Sequence, residues 1–280
     1  MKHRILSTLG IVFIIIFILL IGGSATGIWL LTALALVSQH ELHAILRKLD
    51  VQPMCLPGMA FGALLLLGTF YYNPYSVSSS EFLALIVVFF SIFLLQNFKQ
   101  PSTLVMRILP TLFSIMYIPF MLSFYVWTLW LVKTSRGSDT SACFLVLWLI
   151  VVAKFTDIGG LLAGTLIGRH KLAPIISPAK TWEGAFGGVL VAAFIGATVA
   201  SLFGKHFPES FTTIKAFLIA IPIAIVAIAS DLVESRIKRF SSTKDSGSIL
   251  PGIGGALDLT DSLILSAPLG YFLAKHYIYI

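Results

Sequence analysis

Charge is scarce in this chain. Of its 280 residues only 11% are Asp, Glu, Lys or Arg and 58% are apolar, whereas an ordinary soluble domain is about 25% charged. That balance excludes a water-soluble fold, and it excludes a nucleic-acid binder, which needs a basic face free of apolar cover. Cysteine is scarcer still. Cys55 and Cys143 are the whole complement; they open different apolar runs, expected at opposite membrane faces, so neither a disulfide nor a metal clip joins them and both read as packed thiols. There is no P-loop, no GxSxG elbow and no His/Cys cluster, which removes Walker-type, serine-hydrolase and zinc chemistry. The gaps between apolar runs are too short for a soluble domain.

What is present is hydrophobic length. Apolar runs recur at Ile5–Leu20, Gly27–Val37 and about 54–71, 81–97, 108–132, 141–168, 182–204, 212–233 and 257–278, most of them near the roughly 20 residues that cross a bilayer. The expected fold is all-α: a polytopic integral membrane protein of about nine transmembrane helices, with a cytoplasm-facing polar cavity in its C-terminal half. It reads as a single membrane domain over 1–280, with scaffold helices in 1–135 and chemistry in 136–280. The basic start MKHR reads as the flank of a retained first helix rather than of a signal peptide. Arg47, Lys48, Lys99, Arg107, Arg169, Lys171, Lys180 and the basic group from Arg236 to Lys244 fall in loops on the same side as the N-terminus. Fewer fall opposite, which places the N-terminus and those loops in the cytoplasm and the C-terminus outside. A compact chain without a targeting extension suits a bacterial inner membrane.

The first half offers little chemistry. His40, Glu41, His43, Arg47, Lys48 and Asp50 read as a charged, solvated loop, and no site is assigned there. In the second half Lys154 and Asp157 stand three apart on one helix face, which reads either as an internal ion pair or as Asp157 facing a polar cavity near the cytoplasmic end of its helix. Ser177-Pro178 followed by Lys180-Thr181-Trp182-Glu183-Gly184 reads as a cap and first turn of the next span. Capping does not call for Lys180, which would sit beside a helix N-terminus suited to anions.

Between the last two spans lies the densest charge. Asp231, Glu234, Ser235 and Lys238 fall at i, i+3, i+4 and i+7, one polar stripe on an apolar helix. Arg239, Lys244 and Asp245 follow, then the turn Pro251-Gly252-Ile253-Gly254-Gly255, and Asp258 and Asp261 open the last span on a shared face. Ionisable groups at membrane depth mark function. Carboxylates from two helix ends suit a hard divalent cation such as Mg²⁺, whose shell phosphate oxygens complete, and the neighbouring cations suit a polyphosphate.

The run Ser235-x₂-Lys238-Arg239-x₄-Lys244-Asp245-x-Gly247-x₃-Pro251-Gly252-x-Gly254-Gly255-x₂-Asp258-x₂-Asp261 resembles the signature of the phosphatidate cytidylyltransferase (CDP-diacylglycerol synthase) family. Asp157 and the Ser177–Gly184 block look like two upstream blocks of that family, so the resemblance covers about residues 110–280. It implies the reaction CTP + phosphatidic acid → CDP-diacylglycerol + pyrophosphate, a step of phospholipid biosynthesis, with Mg²⁺ and room for a second cation. The partners implied are CTP, phosphatidic acid and the bilayer, with no nucleic acid; a homodimer is compatible. Asp231 and Asp258 match the family's metal-binding aspartates, and Asp261 is expected to join them. Lys238, Arg239, Lys244 and Asp245 match further catalytic positions. Ser177, Lys180, Thr181, Ser235, Gly254 and Gly255 are expected against substrate. The chain departs from the pattern at Ile253, where the family usually has His, at Leu259 (Arg), at Ala179 (Lys), and at Gly160-Leu161 (Ala-Tyr). Two other functions would use similar groups. A CTP-dependent polyprenol kinase would put phosphate rather than cytidine on the lipid. An anion or metal transporter would carry its charges near the midplane and show internal repeats.

Overall fold

The computed structural model describes residues 2–73, 75, 104–135, 137–243, 246–247 and 254–278, with the side chains of residues 2–21 and Leu104 outside that description. Within them the chain is nearly all-α. The helices are α1 (Lys2–Arg47), α2 (Cys55–Tyr71), α3 (Leu109–Ile115), α4 (Met121–Thr134), α5 (Asp139–Ile167), α6 (Trp182–Leu202), α7 (Thr213–Phe240) and α8 (Ala256–Tyr277). Two π-helical turns, Leu104–Ile108 and Met116–Phe120, flank α3. The exception to the helical rule is an antiparallel hairpin, β1 (Lys171–Ala173) with β2 (Ser177–Thr181).

Five helical stretches among the described residues are long and apolar enough to cross a membrane: Gly22–Arg47, Val105–Thr134, Asp139–Ile167, Trp182–Leu202 and Thr213–Phe240. α2 is apolar but shorter, and α8 is long but carries Asp258, Asp261, Lys275 and His276. The expected run at 81–97 lies outside the described residues. The first two expected runs belong to α1, two helical segments meeting in a kink at Gly23. Gly23 takes φ +64, and a Cβ there would stand 2.8 Å from Asp139 Oδ2, so the bend requires glycine. Asp139 accepts from the Ser24 backbone N–H at 3.0 Å and pairs with Lys133 at 2.6 Å, which fastens the bend to α4 and α5.

α5 starts on a Ser138 cap that accepts from the Ser141 N–H, with Asp139 in the first turn where the helix dipole favours an acid. α5 and α6 then run in close contact through glycine. A Cβ at Gly188 would lie 2.6 Å from the Thr156 carbonyl oxygen, and one at Gly184 would lie 2.8 Å from that of Gly160. Helices in lipid gain little from burying apolar area and associate through such small-residue contacts. Farther along, Trp148 donates its indole N–H to the Gly196 carbonyl at 2.8 Å.

Two expectations are corrected. Ser177 and Pro178 do not cap a helix: they begin β2, an edge strand that tolerates proline's missing N–H. The cap of α6 is Thr181, whose Oγ1 accepts from the Gly184 N–H at 3.1 Å. Nor do residues 40–47 form a solvated loop. α1 continues to Arg47 because Leu42, Ile45 and Leu46 keep the helical period and are buried, and Glu41 and His43 are buried with them.

Candidate functional site

The C-terminal portions of α1, α5 and α7 and the N-terminal ends of α6 and α8 meet at one end of the bundle, and the charges gather there. α7 supplies Asp231 and Glu234 from adjacent turns, and α8 supplies Asp261 from its second turn. Their carboxylate oxygens lie within 4.8 Å of one another. Glu234 is fully buried and Asp261 nearly so.

Three lysines hold the acids in place. Lys180, at the end of β2, reaches Asp231 Oδ2 at 2.6 Å. Lys238, one turn below Glu234, bridges Glu234 Oε2 at 2.7 Å and Asp258 Oδ1 at 2.5 Å. Lys154 is buried in mid-α5; its Nζ stands 3.4 Å from Asp157 Oδ2 and 3.5 Å from Asp261 Oδ1, and donates to Ser262 Oγ at 2.8 Å. The spacing-based pair with Asp157 therefore extends to α8. Five carboxylates (Asp157, Asp231, Glu234, Asp258, Asp261) face three ammonium groups in this network, a formal charge of −2. Glu234 Oε1 has no hydrogen-bond partner among the described residues. A buried excess of two negative charges, with an unpaired oxygen in a cluster of three acids, fits a hard divalent cation.

The other expected residues surround this core. Ser235 donates to Asp231 Oδ1 at 3.3 Å. Asp258 is not one of the three clustered acids: its Oδ1 takes Lys238, and its Oδ2 accepts from the Ser246 N–H at 3.2 Å, Ser246 Oγ at 2.8 Å and the Gly255 N–H at 2.8 Å. It thereby closes the N-terminus of α8 beside Gly254 and Gly255. Gly254 takes φ +116, and a Cβ there would press on Asp258 Oδ2. Arg239 is exposed and donates to the Ile176 carbonyl at 3.1 Å, tying the end of α7 to the β-hairpin. Ser177 lies in that hairpin opposite Ala173. Thr181 is occupied as a helix cap. Lys244 and Asp245 lie outside the described residues.

Two residues of the site escaped the sequence reading. Glu234 belongs to the stripe on α7, but its place in the three-acid cluster depends on how α7 and α8 are rotated toward each other. Glu41 comes from the first half altogether. Its Oε1 accepts from the Ala256 N–H at 3.1 Å, and its Oε2 accepts from the Leu257 N–H at 2.9 Å and Ser246 Oγ at 3.0 Å. Those N–H groups are unpaired donors of the first turn of α8, so Glu41 caps the helix that presents Asp258 and Asp261. Glu41→Gln keeps the shape but turns an NH₂ toward a donor N–H. The expected outcome is a turnover loss of about 10-fold, the order of one cap at about 1 kcal/mol or more, with Glu41→Asp retaining more activity than Glu41→Ala. Equal turnover in all three variants and the parent would remove Glu41 from the site.

The family model described as the cytidylyltransferase family matches residues 2–277. Among individual proteins, the chain is 40% identical over 138 residues to a phosphatidate cytidylyltransferase of Rickettsia bellii, covering 47% of this chain and 59% of that protein. It is 40% identical over 126 residues to one of Staphylococcus epidermidis, covering 45% of each. It is also 37% identical over 150 residues to the uncharacterized protein YnbB of Escherichia coli K12, covering 54% of this chain and 49% of that protein. The chain spans about half the length of the curated relatives it matches.

Proposed function

The chain belongs to the cytidylyltransferase family, and from that premise we propose that it transfers the cytidylyl group of CTP to phosphatidic acid, forming CDP-diacylglycerol and releasing pyrophosphate. Relatives called phosphatidate cytidylyltransferase support the reading. The observation that carries it is the cluster of Asp231, Glu234 and Asp261 with Lys180, Lys238 and Lys154 around it, at the meeting point of five helix ends.

Asp231, Glu234 and Asp261 would hold a divalent cation, for which Mg²⁺ is the choice that suits carboxylate and phosphate oxygens. Bound there, the ion would neutralise charge developing on the pyrophosphate leaving group. Asp258, expected as a ligand from the sequence, is held by Lys238; it becomes available to the same or a second cation if Lys238 turns to a substrate phosphate. Lys180 and Lys238 are the ammonium groups placed to exchange a carboxylate partner for a phosphate oxygen, at little electrostatic cost when the cation supplies the missing positive charge. The phosphate of phosphatidic acid is already anionic at neutral pH and attacks the α-phosphorus of CTP without needing a strong base. Ser235 and Lys180 orient Asp231, while Glu41, Ser246 and Gly255 orient the start of α8. Arg239 and the hairpin close one side of the site.

The protein is an integral membrane protein. An inner-membrane location, a cytoplasmic site, about nine spans and a polar cavity open to cytoplasm and bilayer complete the proposal. The test is purified protein with phosphatidic acid, Mg²⁺ and CTP labelled in the base. Label should move into the lipid phase as CDP-diacylglycerol; label that stays wholly in water, with phosphate appearing on lipid, would identify a CTP-dependent lipid kinase instead.

A further inference from the structure

One buried donor next to the acidic cluster is left over. Tyr117 lies in the second π-helical turn, Met116–Phe120, a geometry that adds a residue to the helical turn and often accompanies functional sites. Its ring stacks on Phe113 at 5.4 Å and an interplanar angle of 12°. One turn earlier Ser114 accepts from Gln39 Nε2 at 3.2 Å and contacts His43 Nε2 at 2.7 Å, so the same helix segment is braced against α1. Tyr117 is only 7% exposed, yet its hydroxyl has no hydrogen-bond partner among the described residues. Glu234, Asp261 and Asp231, the three acids to which the cation is assigned, lie within its electrostatic reach.

A buried hydroxyl without a partner costs stability and calls for an explanation, such as an ion, a water or a ligand. A second copy of this chain does not supply one, because the hydroxyl is buried within the protein. An apolar lipid chain does not either, because it has no acceptor. Phosphate does: with a cation held by the carboxylates and with Lys180 and Lys238 beside it, a phosphate at the cluster would offer non-bridging oxygens as acceptors where the phenol has none.

We propose that Tyr117 is a substrate-binding residue whose hydroxyl donates to a non-bridging oxygen of the phosphate held at the Asp231–Glu234–Asp261 cluster. The inference rests on the function proposed above and deepens it, since it assigns a contact to the first half of the chain. The phosphate comes either from the nucleotide or from the lipid headgroup; both present the same acceptor, and kinetics separate them.

Tyr117→Phe is the test, in the full chain in detergent or lipid discs. It removes one oxygen that has no partner, so the melting temperature without substrates should stay the same or rise. Turnover efficiency should fall roughly 10- to 100-fold, the range for one hydrogen bond to a charged oxygen. A rise in KM for CTP alone puts the contact on the nucleotide, a rise for phosphatidic acid alone puts it on the lipid, and a fall in kcat with both KM values unchanged puts it in the transition state. Parental kinetics in both substrates overturn the proposal. So does a lost activity that tracks a lowered melting temperature, which would make Tyr117 a structural residue. Thermal stabilisation by CTP with Mg²⁺, compared between Tyr117→Phe and the parent, reads the contact even without turnover. A parent that puts no cytidine on lipid yet loses this stabilisation on Tyr117→Phe sinks the proposed reaction but not the phosphate contact.

Discussion

Asp231→Asn and Asp261→Asn are each expected to abolish the proposed cytidylyl transfer while the protein still inserts and folds. Asparagine keeps the shape of aspartate and removes the charge that a divalent cation requires. Deleting one preorganised electrostatic contact of this kind costs about 10²–10³ in turnover, and losing a charged ligand should reach at least the upper end. The structural cost is smaller because each freed lysine has another partner or a way to water. Lys180 Nζ is buried beside Asp231, but its side chain is 23% exposed and can turn to water once freed. Lys154, freed from Asp261, keeps Asp157 and Ser262. Asp258→Asn should also inactivate, through the loosened start of α8 as well as through the cation. The check is the labelled-CTP assay at saturating Mg²⁺ beside a melting curve for each variant. If Asp231→Asn and Asp261→Asn both turn over near the parental rate, the cation is not held where we place it.

Lys154→Met is expected to produce the largest loss of stability. The Lys154 side chain is 5% exposed and its ammonium is shared by Asp157, Asp261 and Ser262. Methionine fills the volume but leaves two carboxylates facing each other in a low-dielectric interior. Breaking a buried pair by removing one partner costs about 3–5 kcal/mol, which in a chain of this size lowers the melting temperature by roughly 10 °C. Adding Asp157→Asn to Lys154→Met should recover part of the loss, since it removes one of the stranded charges; a substitution harmful only through packing would not respond. A Lys154→Met melting point within a degree or two of the parent would show the ammonium to be dispensable.

Much of the site could be read from the chain because charge within apolar helices has few explanations. The i, i+3, i+4, i+7 spacing from Asp231 to Lys238 and the pair Asp258–Asp261 required two polar helix faces, and those faces meet. Spacing within one helix does not say how two helices are rotated, and so Glu234, rather than Asp258, completes the cluster with Asp231 and Asp261. The Ser-Pro block misled for a local reason: Ser and Thr favour caps, but Thr181 takes that role and leaves Ser177 and Pro178 to a strand. Glu41 was invisible for a long-range one. Amid His40, His43, Arg47, Lys48 and Asp50 it looks like part of a wetted loop, and nothing nearby announces a partner that lies 215 residues away. The signal that would have helped is the apolar set Leu42, Ile45 and Leu46, which keeps the helix going past Glu41 and so buries one of its sides.

That separation has a consequence for biogenesis. Glu41 leaves the ribosome long before Ala256 and Leu257, and at roughly 5–20 residues per second the interval is on the order of ten seconds or more. During that time a carboxylate has been delivered to the membrane with no donor to receive it, a disfavoured state unless it stays at the aqueous boundary. α1 would then settle to its final depth only when α8 arrives, making α8 the latch for α1. Ribosomes stalled with nascent chains ending before residue 250 should therefore leave the region around Glu41 open to water-soluble reagents, and chains extending beyond α8 should shield it.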